Sequence, residues 1–428
     1  MSGLSLLVAF GASAALAADG DLDATFGTQG FVRPPLDGAE FAAAVARSDG
    51  RLVVCGMRRP SPVDYDHLLV AQFLADGSAD LSFGANGFVE LDPTSYREAC
   101  TGIIVAPNGG IVLSGYAWYI DSFNGINFNE KIALRLDAHG APDAAFGDGG
   151  LATYGPGYAM SIAPARDGAF VMGGYACSGG GCVMDVVRAL ADGARDTAFA
   201  DGGIARIPFA GGTTIDYGRA VAIDASGRIV VAGSTDFFGD VRIAAARVLA
   251  NGSLDPDFGV AGRIQGPLGT KGFAMHLQRD GAVVIGGYFA AIADALVARF
   301  DAGGIPDAAF GAGGIANITL ANTRLGANSL AIEDDGRIVV SGYVIAPDYA
   351  DLGFVARLDI AGQLDPAFGT TGIVLIDAAD DAQPEQWFSG LALQSGRAVA
   401  VGVTTNGNQD RTGLIVRLDN DLIFADAY

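Results

Sequence analysis

The sequence predicts an all-β chain of seven tandem units, and three observations carry that prediction. First, the phrase Asp-x-x-Phe-Gly-x-x-Gly recurs seven times, starting at Asp23, Asp80, Asp143, Asp196, Asp255, Asp307 and Asp365, with Ala200 replacing the first glycine in the fourth copy. Its anchors Phe26, Phe83, Phe146, Phe199, Phe258, Phe310 and Phe368 stand 52 to 63 residues apart. Second, short apolar runs rich in Val and Ile lie between Gly-containing turns. Third, no segment keeps a helical period. A repeat of this length points to an array of supersecondary units.

The elements follow in chain order. Leu4–Ala17 is apolar and ends in Ala15-Leu16-Ala17, an A-x-A-like cleavage signal. Residues 1–17 therefore read as a signal peptide, and 18–428 as one exported domain. An orphan phrase, Asp23–Gly30, and an orphan strand, Phe31–Leu36, come next. In the first full unit Ala42–Arg47 is small and apolar, Asp49-Gly50 is a turn, and Arg51–Gly56 (RLVVCG) is β-branched. Leu68–Leu74 reads as a third strand. The phrase at Asp80 then leads into a fourth, Phe88–Leu91.

The first turn recurs at Asn108-Gly109, Asp167-Gly168, Ser226-Gly227, Asp280-Gly281, Asp335-Gly336 and Ser395-Gly396. These pairs suit two-residue hairpins, which need positive φ. Four strands per unit, repeated seven times, predict a seven-bladed β-propeller with four-stranded antiparallel blades. Small residues at Ala43, Gly102, Ser161, Ala220, Ala274, Ser329 and Ser389 mark the first strand of each unit, here strand a, as the innermost. Strands b, c and d then run outward. The last unit stops after Leu414–Leu418, followed by a decayed phrase at Asp421–Phe424. The N-terminal strand is thus expected to close the last blade, which removes exposed edges.

The phrase, the Asp-Gly-Arg-Ile/Leu-Val-Val-x-Gly hairpin (Asp49–Gly56, Asp335–Gly342) and the strand Val355–Asp359 resemble the delta-60 repeat, a bacterial repeat assigned to β-propellers. The resemblance covers almost the whole mature chain. It implies the fold and an exported bacterial protein. It brings no activity and no catalytic residues.

Composition limits the function. The net charge of -22 repels nucleic acid and anionic membrane. It serves solubility first and attraction of cationic ligands second. No second apolar run is long enough to span a bilayer. A monomer is expected. Four cysteines fit an oxidising compartment. Cys177 and Cys182 flank a Ser-Gly-Gly-Gly loop and suit a local disulfide. Cys55 and Cys100 approach one face from adjacent blades and form a second candidate pair.

Recurrent residues read as structural. The strand c arginines Arg135, Arg188, Arg247, Arg299, Arg357 and Arg417, with Gln72 in the first unit, are expected to tie blades to a neighbouring Asp or carbonyl rather than form an anion ring. Tyr116, Tyr175, Tyr288 and Tyr343, which end strand b, are expected to pack, with an aromatic ligand cage as the lesser alternative. Singular residues are the functional candidates. The variable loops, at residues 57–67, 118–131, 208–219, 343–352 and 377–388, share one face. A concave mouth over the axis is the default site. Its expected lining is Glu40, Glu98, Tyr158, Tyr217, Arg219, Lys271, Asn328 and Trp387.

No catalytic constellation stands out. His67, His139 and His276 are scattered, so no metal is expected; His139 suits a turn, and His276 the core or channel lining. The Asp/Asn strings at 19–23 and 406–410 lack the Glu that ends an EF-hand loop. No cofactor is expected, because no Gly-rich stretch precedes a helix or P-loop lysine. The sequence thus points to an exported binding scaffold for a protein or glycan ligand. The alternative is a secreted polysaccharide hydrolase or lyase at the same mouth, with Glu40 and Glu98 as paired carboxylates.

Overall fold

Runs of β-branched and small apolar residues form every strand in the computed structural model, which describes residues 18–61, 64–94, 96–121, 126–209, 214–291, 294–346, 351–378, 385–406 and 410–420. The expected signal segment and the decayed phrase at Asp421–Phe424 lie outside these residues. The protein is all-β, built of four-stranded antiparallel meanders. No described helix is long and apolar enough to cross a membrane.

The first unit pairs Ala39–Ala46, Leu52–Arg58, His67–Phe73 and Phe88–Leu91 in chain order. The same order recurs from Arg97–Val105, Thr270–Leu277 and Arg324–Ile332. The third and fourth meanders share one eight-stranded sheet, joined by a single parallel pairing of Cys182 with Ile215. In the last sheet Gln386–Gln394, Arg397–Thr405 and Arg411–Leu418 take Phe31–Val32 as fourth strand. Phe31 pairs with Val416 and Val32 with Ile415.

Strands b and c are buried on both faces, so they read as apolar runs rather than as an alternation. Leu52–Gly56 and Leu68–Phe73 are buried throughout. Their side chains pack into clusters shared by consecutive units. One joins Val53 and Val70 to Ile103 and Leu113. Another joins Val54 and Ala71 to Val399 and Ile415, bringing the first unit against the last. Each strand a contacts the strand a of the next unit, and Gln386–Gln394 contacts Ala39–Ala46.

The recurrent phrase is the joint between units. In the copy at Asp307, Oδ1 accepts the N–H of Ala309 at 2.9 Å, which holds the turn. Oδ2 takes Arg299 Nε at 2.8 Å. The same guanidinium donates to Ile360 O of the next unit at 2.7 Å and lies 4.4 Å over the buried Phe310 ring. Arg135, Arg188, Arg247, Arg357 and Arg417 repeat this bracket on Asp143, Asp196, Asp255, Asp365 and Asp23. In the first unit Gln72 donates to Asp80 instead. Burial of each phenylalanine contributes about 1.5–3 kcal/mol.

The first glycine of each phrase also donates its N–H across the joint. Gly27 donates to Asp76 O, Gly84 to His139 O and Gly147 to Asp192 O. Ala200, Gly259 and Gly311 donate to Asn251, Gly303 and Ala361, and Gly369 donates to Asp19. A Cβ on Gly84 would stand 2.2 Å from Phe88 O, at φ 52°. Asp19, part of the string that resembled a calcium loop, is instead taken by Arg357 at 2.5 Å.

Two local expectations need correction. The a–b turns are mostly three-residue loops. Arg47 N–H bonds to Arg51 O and Gly50 N–H to Arg47 O, so glycine alone needs positive φ. Ser395-Gly396, at φ 51° and 81°, forms the expected two-residue hairpin between Gln394 and Arg397, and Asp167-Gly168, at φ 58° and 76°, likewise takes positive φ at both positions of its turn. The segment 118–131 is also largely not a loop. Its aromatic and β-branched residues extend the ladder from Tyr116↔Lys131 to Asp121↔Ile126.

Candidate functional site

Every strand a slips its register by one residue at the same place, between Phe41 and Ala43 in the first unit and between Phe388 and Gly390 in the last. The extra residue of these β-bulges is Ala42, Thr101, Met160, Arg219, Phe273, Asn328 or Ser389. A bulge bends its strand and re-aims the side chain. The Thr101 hydroxyl accordingly reaches Ala159 O at 2.7 Å, and Asn328 Nδ2 reaches Phe388 O at 2.9 Å, each in the next unit.

Two residues ahead of each bulge lies one cross-strand rung per unit. The rungs are Glu40–Met57, Ala99–Tyr116, Tyr158–Tyr175, Tyr217–Ser234, Lys271–Tyr288, Gly326–Tyr343 and Trp387–Val403. Glu40, Tyr158, Tyr217, Lys271 and Trp387 were expected at the mouth, and all hold this position. Arg219 and Asn328 are bulge residues beside it. Glu98 does not share it, because Ala99 occupies the rung. Successive strand residues face opposite ways, and Glu98 is fully buried.

The rungs join into an arc of aromatic rings. Trp118 lies 5.3 Å from Tyr116, Tyr116 4.8 Å from Tyr158, Tyr158 5.0 Å from Tyr175, and Tyr175 4.7 Å from Tyr217. The Arg219 guanidinium continues the path, within 5.3–5.8 Å of the Tyr217, Phe273 and Tyr175 rings. Phe273 stacks on Tyr288 at 5.5 Å, and Lys271 Nζ lies 5.9 Å from the Tyr288 ring. The Tyr343 ring fills the space a side chain at Gly326 would need, where a Cβ would fall 2.4 Å from it. Burial pushes the Tyr175 hydroxyl up to about 12, so it stays protonated and can donate. Burial also raises Tyr116, with opposing influences from Arg219 and Glu40. Groups from the first, second and fourth units therefore sense one another here.

Tyr116, Tyr175, Tyr288 and Tyr343 do pack, as their sequence position suggested. Their packing is what builds the arc. Phe273 escaped the sequence reading altogether. Aligning the bulge across the repeats would have revealed it, since Arg219, Phe273 and Asn328 then fall in one column.

In the first unit Glu40 is half-buried, and its Oε2 takes Arg411 NH1 at 2.8 Å. Arg411 lies 5.9 Å from the Trp387 ring. Burial raises the Glu40 carboxyl despite Arg411. Glu98 is a separate buried acid. Thr94 donates both its N–H and its hydroxyl to Oε1, while Oε2 has no partner among the described residues. Burial pushes its pKa up to about 7. Beneath the arc, Lys131 and Asp185 form a buried ion pair at 2.7 Å, and Lys131 also donates to Pro156 O at 3.0 Å.

Cys55 and Cys100 form a disulfide between the first two units. Cys177 and Cys182 form another across one hairpin. His276 is exposed near the end of its strand, with its ring Nδ1 2.8 Å from Leu277 O, so it does not sit in the core. No group of His, Cys, Asp and Glu among the described residues could hold a metal ion. A cleft of 490 Å³ lies along the a–b turns of the third and fourth units, lined by Arg166, Arg188 and Asp224. A similar one of 460 Å³ lies between the fifth and sixth. Their recurrence assigns them to the repeat.

The family described as a domain of unknown function (DUF5122) beta-propeller matches residues 225–258 and 278–310. The match supports a β-propeller repeat family. No curated protein matches. Among solved structures, the polysaccharide lyase Uly1 is 11% identical over 92% of this chain and 92% of that one, with a TM-score of 0.51. A protein of unknown function from Dyadobacter fermentans is 15% identical over 91% of this chain and 100% of that one, with a TM-score of 0.47. The Trypanosoma rangeli sialidase bound to the inhibitor DANA is 9% identical over 90% of this chain and 58% of that one, with a TM-score of 0.45. At such identities the likeness to Uly1 is one of fold.

Proposed function

We propose that the chain is an exported, monomeric seven-bladed β-propeller of delta-60-type repeats, closed by its N-terminal strand, that binds a glycan at the aromatic mouth. Residues 1–17 act as the signal peptide, and 18–428 form the single mature domain. The pairing of Phe31–Val32 with Arg411–Leu418 supports the closure.

One observation carries the binding function: the unbroken path of rings from Trp118 to Tyr217, extended through Arg219 to Phe273 and Tyr288. The recurrent joints need no such path, since their aromatic is the buried anchor phenylalanine. Flat rings with hydroxyl donors match the apolar faces and hydroxyl edges of sugars. Glu40, Trp387 and Asn328 complete the far side of the mouth. The acidic surface elsewhere gives nucleic acid no footing.

Affinity electrophoresis of the mature chain in gels containing single polysaccharides tests this. Retardation by at least one polysaccharide is expected, weakened tenfold or more in Tyr158→Ala and Tyr175→Ala proteins that keep their thermal midpoint. Unretarded migration in every gel refutes the reading.

Turnover is the second reading, because burial keeps about half of Glu98 protonated at neutrality, in the range a general acid needs. Its full burial under Thr94 argues for binding instead. New reducing ends or unsaturated products, lost in Glu98→Gln, would establish the enzyme.

A further inference from the structure

We infer that the mouth selects carboxylate-bearing polysaccharides, with Arg219 and Lys271 reading the acidic group of a sugar stacked on the tyrosine arc; the inference rests on glycan binding at this mouth. Cations are scarce in this chain, with 26 Lys and Arg against 48 Asp and Glu, and most are consumed. Each phrase arginine holds an aspartate, Arg411 holds Glu40, and Lys131 holds Asp185. Arg219 and Lys271 differ. Among the described residues neither has a carboxylate within ion-pair distance. Arg219 instead sits against the rings of Tyr175, Tyr217 and Phe273, and Lys271 over Tyr288.

That environment positions the cations and leaves their charge intact. Aromatic faces attract a cation without neutralising it. The guanidinium fork matches a carboxylate in two parallel hydrogen bonds. Both cations come from adjacent units, joined through the Phe273–Tyr288 stack. The mouth's own carboxylate, Glu40, already has its counter-ion in Arg411. The free charge offered to a ligand is thus positive within an acidic protein. Stacking on Tyr158 and Tyr175 holds the sugar ring, and the two cations distinguish a uronate from its neutral counterpart.

Calorimetric titration with oligogalacturonate, its carboxyl-reduced form and dextran sulfate tests the assignment. Oligogalacturonate is expected to bind at least tenfold more tightly than the reduced form. Arg219→Gln and Lys271→Gln should erase that preference while binding of the reduced form persists. Arg219→Lys should recover less than half of the lost preference in free-energy terms, because the fork is absent. Equal binding of the oligogalacturonate and its reduced form overturns the acidic-sugar assignment and leaves glycan binding standing. Loss of both, with no other polysaccharide retained, removes both. Dextran sulfate binding as tightly as oligogalacturonate overturns carboxylate selection in favour of charge alone.

Discussion

Arg417 and Asp23 stand 394 residues apart in sequence and form a buried ion pair, Nε to Oδ2, at 2.7 Å. Arg417 also lies 4.4 Å over Phe26 and donates to Ala75 O in the first full unit. One guanidinium therefore fastens the last c strand to the N-terminal phrase and to the next turn.

Breaking that fastening should be costly. Removal of one partner strands the other as a buried charge, worth about 3–5 kcal/mol. Asp23→Ala is expected to lower the urea midpoint sharply. Arg206→Ala, at a largely exposed pair with Asp201, should change it by at most about 1 kcal/mol. Equal effects from the two would contradict the assignment.

The phrase glycine should resist substitution unequally. At Gly84 a Cβ meets the Phe88 carbonyl, so Gly84→Ala is expected to cost roughly 2 kcal/mol or more. Ala200 already bears a methyl group at φ 47°. Relief of left-handed strain, about 1–2 kcal/mol, opposes the added chain freedom of glycine, about 0.5–1 kcal/mol. Ala200→Gly should therefore be neutral or slightly stabilising in thermal melts.

Glu98 should make stability fall as pH rises. Its folded-state pKa, pushed up to about 7 from the usual carboxylate range, means the native state binds more protons than the unfolded chain between about pH 4.5 and 7. The penalty is absent below that window and complete above it. Glu98→Gln should gain about 3 kcal/mol relative to the parent at pH 8 compared with pH 4. A difference between the two melts that does not change with pH would refute it.

The two disulfides should contribute unequally. Cys55–Cys100 closes 45 residues and joins two units, whereas Cys177–Cys182 closes only 5. Chain entropy assigns about 4 kcal/mol to the first and about 2 to the second. Paired serine variants measured by denaturant titration should reproduce that order.

The β repeat was legible because its joint is local: aspartate, phenylalanine and glycine sit within five positions, and an arginine stands eight residues before the aspartate. Strand a was marked by its small residues, and in the structure each strand a packs against that of the next unit. The mouth was only partly legible. Glu98 was named although the residue aligned with Glu40 and Tyr158 is Ala99, one position on, an offset that the register of the sheet makes plain. Phe273 was passed over because its place beside Arg219 of the preceding unit depends on the bulge, and the strand b tyrosines were read as packing without the cross-unit contacts, such as Tyr116 with Tyr158 and Tyr175 with Tyr217, that link them into an arc. Such neighbours appear only once the register of every sheet is known.

The forward hydrogen bond from each phrase to the following turn has a consequence for how such chains grow. Gly84, Gly147 and Gly259 all meet the same kind of acceptor. A duplicated or deleted copy would leave every donor satisfied, so the couplings themselves do not count how many copies are present. That number is left to the packing of each strand a against the next, where the small residues lie.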